Sequence, residues 1–250
     1  MKIWDVQNDK NEWTLSHPFE VFHVTFSPDD TLIAASGSNT VWIWDWKKNT
    51  CICKLDQEKW CEQTYFTPDG KQVVTQVTNY PDGNAVKVWD LQTKECIRTF
   101  PMECLLAIDI NSDGSLILVA DSNSLSLWDW KQDKVVHHIA LESWRWIRAA
   151  KFHPVLPVVA VTCDTDSEGK VQIFDFKGKC VGTISHGNQI TDLAFSDDGN
   201  LLATAGLGYT FKEASVKGPF LGTYTLVSSS VKIWRFKEKI NLEPNETIIP

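Results

Sequence analysis

The residues of this 250-residue chain whose types could do chemistry are its seven cysteines, six histidines and one acidic loop. The cysteines are Cys51, Cys53, Cys61, Cys96, Cys104, Cys163 and Cys180. Zinc sites draw on closely spaced thiolate pairs, and no C-x-x-C pair exists here. Three of the thiols recur in one setting: Thr50-Cys51-Ile52, Glu95-Cys96-Ile97 and Lys179-Cys180-Val181. A fourth copy carries Val135 in that place. A position that takes Cys or Val reads as apolar packing, since a free thiol behaves as a small hydrophobe. Reduced thiols in turn favour an intracellular setting.

His137 and His138 are neighbours on an extended run, so they point to opposite faces and cannot chelate one ion together. The loop Asp164-Thr165-Asp166-Ser167-Glu168-Gly169, with Asp175 eleven residues after Asp164, superficially matches a calcium loop. Its flanks read as strands and its twelfth residue is not Glu, so a solvated loop is the expectation. G-x-S-x-G, H-E-x-x-H and a phosphate-binding glycine loop are all absent. The expectation is therefore no catalytic residue, no metal and no cofactor.

Composition narrows the class. Basic residues number 24 against 32 acidic ones, a net charge of −8. An acidic chain gains little from phosphate contacts, which argues against nucleic acid as a partner. No run of 18 apolar residues crosses a membrane, and Met1-Lys2-Ile3-Trp4-Asp5 lacks the apolar stretch of a signal peptide. A cytoplasmic setting is expected.

The elements that must position these residues follow from a repeat. One tripeptide returns six times: Ile3-Trp4-Asp5, Ile43-Trp44-Asp45, Val88-Trp89-Asp90, Leu127-Trp128-Asp129, Ile173-Phe174-Asp175 and Ile233-Trp234-Arg235. Its aromatic residues are spaced by 40, 45, 39, 46 and 60. Between them runs a second motif: Phe26-Ser27-Pro28-Asp29-Asp30, Phe66-Thr67-Pro68-Asp69-Gly70, Ile110-Asn111-Ser112-Asp113-Gly114, Phe152-His153-Pro154 and Phe195-Ser196-Asp197-Asp198-Gly199. Pro fixes φ while Asp and Gly tolerate the dihedrals of a tight turn. An alternating strand precedes each turn, and a strand rich in small residues follows it. Four short strands per unit read as an antiparallel meander that needs neighbours to cover both its faces.

Two motifs in phase at this period resemble the WD-repeat (WD40) family, over residues 1 to about 240. The resemblance implies an all-β β-propeller of four-stranded antiparallel blades, five complete and one partial at the N-terminus. Residues 1–18 would supply the outer half of one blade. The five blades would be 19–58, 59–102, 103–142, 143–186 and 187–242, followed by a tail at 243–250. Residues 236–242 are the candidates for the outer strand of the fifth. The inner strands of the first blade are missing. Three readings stay open: a segment of a longer propeller, a ring completed by another chain, or a six-membered ring with one thin blade.

The family joins a loop His through Ser/Thr and Asp to the repeat Trp. Only His17 and His186 occupy the His position; Gln57, Pro101 and Ser143 stand there in the other repeats. The resemblance makes Trp4, Trp44, Trp89, Trp128, Phe174, Trp234, His17 and His186 structural. Trp46, Trp130, Phe176 and Phe236 follow the repeat aromatic by two and read as packing. Trp42 stands where other repeats have Lys87, Ser126, Gln172 and Lys232, which suggests partial exposure.

The surface remains as the place for function. Loops at one end of such propellers usually meet partners, and here they carry Trp60, Tyr80 and Trp144-Arg145-Trp146. The long loop 207–229 adds Tyr209 and Phe211, with Thr210–Ala214 and Leu221–Val227 able to pair as an extra hairpin. Trp and Arg are enriched at binding hot spots. The reading is a non-catalytic scaffold that binds proteins or peptides. Its alternatives are a regulatory propeller within a larger signalling protein and an enzyme with a central-channel site. For the last, the inner strands offer only His23, Gln63, Asp109, Lys151 and Asp192.

Overall fold

Extended segments alternate exposed with half-buried residues where one face is covered, as in residues 10–14, and run almost continuously apolar where both faces are buried, as in residues 116–120. A computed structural model describes residues 1–5, 7–18, 20–57, 60–78, 83–102, 104–141, 147–164, 169–186, 189–207, 220–221, 225–226 and 230–236. Among the described residues none is helical. The chain divides into two compact units, Met1–Val136 and His137–Pro250.

In the first unit, β1 (Lys2–Asp5) and β2 (Lys10–Thr14) form a two-stranded antiparallel sheet. Blade one is β3 (His23–Phe26), β4 (Leu32–Gly37), β5 (Thr40–Asp45) and β6 (Thr50–Asp56), bonded in that order. Blade two repeats the order with β7 (Trp60–Phe66), β8 (Gln72–Thr78), β9 (Asn84–Asp90) and β10 (Cys96–Met102). Blade three has β11 (Ala107–Ile110), β12 (Leu116–Ala120), β13 (Ser124–Asp129) and β14 (Lys134–Ala140), the division between units falling within β14.

In the second unit, blade four is β15 (Ala150–Phe152), β16 (Val158–Asp164), β17 (Gly169–Asp175) and β18 (Cys180–Ser185). Blade five has β19 (Gln189–Phe195), β20 (Leu201–Leu207), the short β21 (Phe220–Leu221) and β22 (Thr225–Leu226), and β23 (Ser230–Phe236). These are the four-stranded antiparallel blades of a β-propeller, five of them after a two-stranded start.

Blade five departs from the expected plan. Both β21 and β22 pair with β23, on the edge that β20 leaves free. Its outer positions are thus filled by residues that precede β23 in sequence. Residues 237–242, the expected source of that strand, lie outside the described residues, as do 210–214 and the tail 243–250.

The turn motif does more than bend the chain. The hydroxyls of Ser27, Thr67 and Ser196 each donate to the Asp two residues on, at 2.6 Å, 2.6 Å and 2.6 Å. The same oxygens accept the backbone N–H of Leu32, Gln72 and Leu201 at 2.8, 3.0 and 2.9 Å. One side chain thereby closes the five-residue turn from both ends. The residue after the Asp sits at positive φ: Asp30 at 54°, Gly70 at 67°, Gly114 at 71° and Gly199 at 71°. Trp46 and Trp130 then fasten the turn of their own blade. Their Nε1 groups donate to the carbonyls of Asp30 and Gly114 at 3.0 and 3.1 Å.

The recurring cysteines are not buried packing. Cys51 is half-buried, Cys96 and Cys180 are exposed, and all seven cysteines are free thiols. Each of the three lies opposite the repeat aromatic, pairing with Trp44, Trp89 and Phe174, where the register of the outer strand shifts. Their thiols donate to the carbonyls of Cys53, Arg98 and Gly182 at 3.4, 3.1 and 3.4 Å. A small weak donor at a β-bulge meets a carbonyl that the shifted ladder leaves over.

Apolar clusters lie between neighbouring blades. Ala34, Val41 and Ile43 of blade one pack with Phe66, Val73 and Trp89 of blade two. Val74, Val86 and Val88 pack with Ile108 and Ile117 of blade three. In the second unit, Ala160, Val171 and Ile173 pack with Leu193, Leu202 and Trp234.

Candidate partner-binding surfaces

The buried polar residues account for part of the repeat before any surface is considered. In blade two, Trp89 Nε1 donates to Thr75 Oγ1 at 3.3 Å, and that hydroxyl donates to Gln57 Oε1 at 3.1 Å. Gln57 thus serves where the family has His. In blade five, Trp234 Nε1 donates to Thr204 Oγ1 at 3.0 Å. Opposite Thr75 and Thr204 in the sheet stand Lys87 and Lys232. Their ammonium groups donate to the backbone carbonyls of Gln57 and His186, at 3.3 and 2.5 Å. His186 is buried, and so is Lys232, whose pKa is pulled down by that burial.

The other blades lack this hydroxyl. Ala35, Val119 and Val161 take its place, opposite Trp42, Ser126 and Gln172. The indole nitrogens of Trp44 and Trp128 find no partner among the described residues. Blade four avoids the problem, because Phe174 has no N–H to satisfy. Blade one substitutes an aromatic cluster. Trp42 stacks on Trp44 with centroids 6.4 Å apart, and the half-buried His17 ring lies 5.5 and 5.3 Å from the two. Burial, and then the positive N-terminus, hold the His17 pKa below its usual value. Lys54 caps the face of Trp42 at 4.1 Å, so that indole is half-buried.

Trp4 differs from the other repeat aromatics. Trp44, Trp89, Phe174 and Trp234 are buried and Trp128 is half-buried, whereas Trp4 is 52% exposed. Among the described residues its sheet consists of β1 and β2.

Of the proposed binding residues, Trp60 is described and it is 60% exposed. It stacks on Phe22, itself 42% exposed, with centroids 5.6 Å apart and planes at 13°. Two loops bring them together. The N–H of Cys61 donates to the carbonyl of Ser38, and that of Gln57 to Asn39, at 2.8 and 2.7 Å. Phe22 donates its N–H to the Ser36 carbonyl at 2.8 Å. The link into blade two is therefore tied to the β4–β5 turn of blade one, at its loop end. Phe22 went unmarked in the sequence, although its repeat counterparts are Glu62, Leu106, Arg148 and Thr191. Tyr80, Trp144, Arg145, Trp146, Tyr209 and Phe211 lie outside the described residues.

The residues weighed for chemistry have other work. Asp175 is buried and its carboxylate accepts the N–H of Lys179 at 2.8 Å. Asp45, Asp90 and Asp129 cap the same turn in their own blades. Asp166 and Glu168 lie outside the described residues. The half-buried His137 ring packs 5.7 Å from Phe176, while His138 is exposed. Gln63 accepts the N–H of Ile108 at 3.2 Å, and the His23 ring lies 5.0 Å from Tyr65. Among the described residues no cluster of three His, Cys, Asp or Glu could hold a metal ion.

Comparison with known proteins agrees with the repeat. The family model for the WD domain, G-beta repeat, matches residues 10–45 and 178–212. The chain is 23% identical over 207 residues to apoptotic protease-activating factor 1 of Homo sapiens, covering 77% of this chain and 16% of that protein. It is 28% identical over 146 residues to activating molecule in BECN1-regulated autophagy protein 1B of Danio rerio, covering 56% and 10%. Periodic tryptophan protein 2 of Arabidopsis thaliana is 23% identical over 197 residues, covering 76% and 21%. The chain thus spans between 10% and 21% of the length of these relatives. Among solved structures, Kuenenia stuttgartiensis hydrazine synthase superposes with a TM-score of 0.67 at 21% identity, over 78% of this chain and 58% of that one, a likeness of fold. The repeated turn and Trp-Asp motifs, the four-stranded blades and these matches together make the chain similar to WD-repeat proteins.

Proposed function

We propose that the chain is a non-catalytic, cytoplasmic interaction module that binds other proteins or peptides through its loop end. One observation carries the reading: the parallel stack of Trp60 on Phe22, exposed in a chain whose other described tryptophans, Trp4 excepted, are buried or half-buried. Large rings held rigid at the surface supply contact area at little entropic cost, which is why Trp anchors binding hot spots. Trp144, Arg145 and Trp146 extend the proposal as residues of the same chemical kind.

A second reading rests on length. The chain covers 16% of apoptotic protease-activating factor 1 and 10% of a relative named an activating molecule. A regulatory propeller within a longer signalling protein fits that proportion.

Affinity capture with mass spectrometry on the wild-type chain and on Trp60→Ala tests the first reading. Trp60→Ala is expected to lose about 2 kcal/mol or more of affinity for a captured partner while keeping its thermal transition. Trp60→Phe should retain most binding. A Trp60→Ala chain that captures the same partners equally well would remove the loop end from consideration.

A further inference from the structure

Four indoles of the first unit carry a lysine over the ring: Trp42 under Lys54, Trp46 under Lys47, Trp89 under Lys87 and Trp130 under Lys131. Their Nζ atoms lie 4.1 to 5.7 Å from the ring centroids. The negative face of an indole is thus used repeatedly in this chain as a seat for a cation. Trp60 presents the same kind of face outward. Phe22 lies parallel against one side of it, so the 60% exposure of Trp60 belongs to the opposite face and the ring edge.

A carboxylate is held beside that ring. Glu62 is the extra residue of the bulge in β7, where the pairing with β8 shifts between Cys61 and Gln63. A bulge re-aims the side chain it carries. The Glu62 carboxylate accepts the hydroxyl of Thr78 at 2.9 Å and the amide of Gln76 at 3.3 Å. Thr78 is the residue opposite Trp60 across the two strands, so the carboxylate is anchored to the neighbour of the indole. Gln76 is fully buried and gives the same amide nitrogen to the carbonyl of Leu105 at 3.4 Å. The bulge is tied on both sides as well. The Glu62 carbonyl accepts the Ser36 hydroxyl of blade one at 3.4 Å, and Gln63 Oε1 accepts the N–H of Ile108 of blade three at 3.2 Å. Glu62 is nevertheless exposed, and each of its carboxylate oxygens has capacity for a further hydrogen bond. The repeat does not require this charge, since Phe22, Leu106, Arg148 and Thr191 stand at the same position in the other blades.

We propose that Trp60 and Glu62 together seat an arginine side chain of a partner peptide. The inference rests on the reading of Trp60 as a binding residue and adds what that residue binds. A guanidinium is planar, so it lies flat on the open face of the indole while its fork of N–H groups meets the carboxylate. A lysine ammonium is a compact, strongly hydrated charge that cannot stack and bridge in one plane. The net charge of −8 favours the approach of a basic segment.

The test is selection from a random library of short peptides displayed on phage, against the full chain, with counter-selection on Trp60→Ala. Peptides that need Trp60 are expected to share one arginine. In a synthetic peptide of the selected sequence, citrulline, which keeps the shape and loses the charge, should bind at least tenfold more weakly, and lysine at least fivefold. Those changes leave the protein itself untouched. Glu62→Gln keeps an acceptor for Thr78 and should weaken the arginine peptide at least tenfold with an unchanged thermal transition. Against that variant the preference for arginine over citrulline should shrink at least threefold. Trp60-dependent peptides without a shared arginine overturn the proposal and leave the Trp60 reading standing. So does a selected peptide that binds equally well with lysine or citrulline, or one indifferent to Glu62→Gln. A selection that yields no Trp60-dependent peptide overturns both.

Discussion

The imidazole of His153 donates from Nε2 to the carbonyl oxygen of Gly199, 3.1 Å away, and so ties the turn of blade four to that of blade five. The tautomer is fixed by the other nitrogen. Nδ1 accepts the backbone N–H groups of Val155 and Leu156 at 3.1 and 2.9 Å, so it carries no proton. His153 occupies the place of Ser27, Thr67 and Ser196, and like them it accepts backbone N–H groups within its own turn.

Gly199 is expected to tolerate no side chain. Its φ of +71° costs an L-residue about 1–2 kcal/mol. A methyl group there would also clash with the His153 ring. Gly178, at φ +87°, would carry its methyl group at an ordinary 3.7 Å from Ile139. Gly199→Ala should therefore destabilise by clearly more than Gly178→Ala in urea unfolding. Equal losses would mean that the ring yields freely.

Thr75 links Trp89 to Gln57, and Thr75→Val leaves both buried groups without it. A loss of about 1–3 kcal/mol is expected. Trp89→Ala, which empties a large buried site, should cost about 3–5 kcal/mol. Trp89→Phe removes the N–H together with part of the ring, and because a cycle subtracts the cost of each single change, Thr75→Val combined with Trp89→Phe should show coupling of at least about 0.5 kcal/mol. Additive losses would show that the hydrogen bond contributes nothing beyond packing.

Acid should weaken the turns in a defined window. The hydroxyls of Ser27, Thr67 and Ser196 hold the carboxyls of Asp29, Asp69 and Asp198 below their usual range, Asp198 at about 2. Unfolded Asp titrates near pH 3.9, roughly. Folded values below the unfolded one mean stability that is present above that pH and lost as pH falls through the folded values. Burial likewise lowers the His153 pKa, so its contribution is present above its unfolded value, about 6.5, and fades as pH falls below it. In carboxyl NMR titrations Ser196→Ala should move Asp198 upward from about 2. An unmoved midpoint would remove the hydroxyl as the cause.

The blades were legible because two motifs run in phase, and each has a local physical cause. Pro, Asp and Gly make the turn, and the Trp-Asp strand ends at a turn that its own Asp caps. Partner choice at a distance was not legible. That β21 and β22 fill the edge of β23 depends on a pairing that no periodicity encodes. The repeated Cys looked apolar because Val replaces it once, yet it sits at a bulge, where register and not hydrophobicity decides exposure. Trp4 shared the motif but not the neighbours that enclose Trp44. At the proposed binding end, Trp60 stood out as an aromatic residue outside the repeat. Phe22 could have been found by the column comparison that singled out Trp42.

The blades handle their central aromatic in several ways: a Thr with a Lys opposite in blades two and five, stacked rings in blade one, a Phe in blade four. The repeats are therefore interchangeable in shape but not in chemistry. Moving β9 alone into blade one would set Lys87 facing Ala35, which has no hydroxyl, and would take Trp42 from beside Trp44 and His17. A blade exchanged whole, with the loop that precedes it, keeps its own partners together; a central strand exchanged alone separates them.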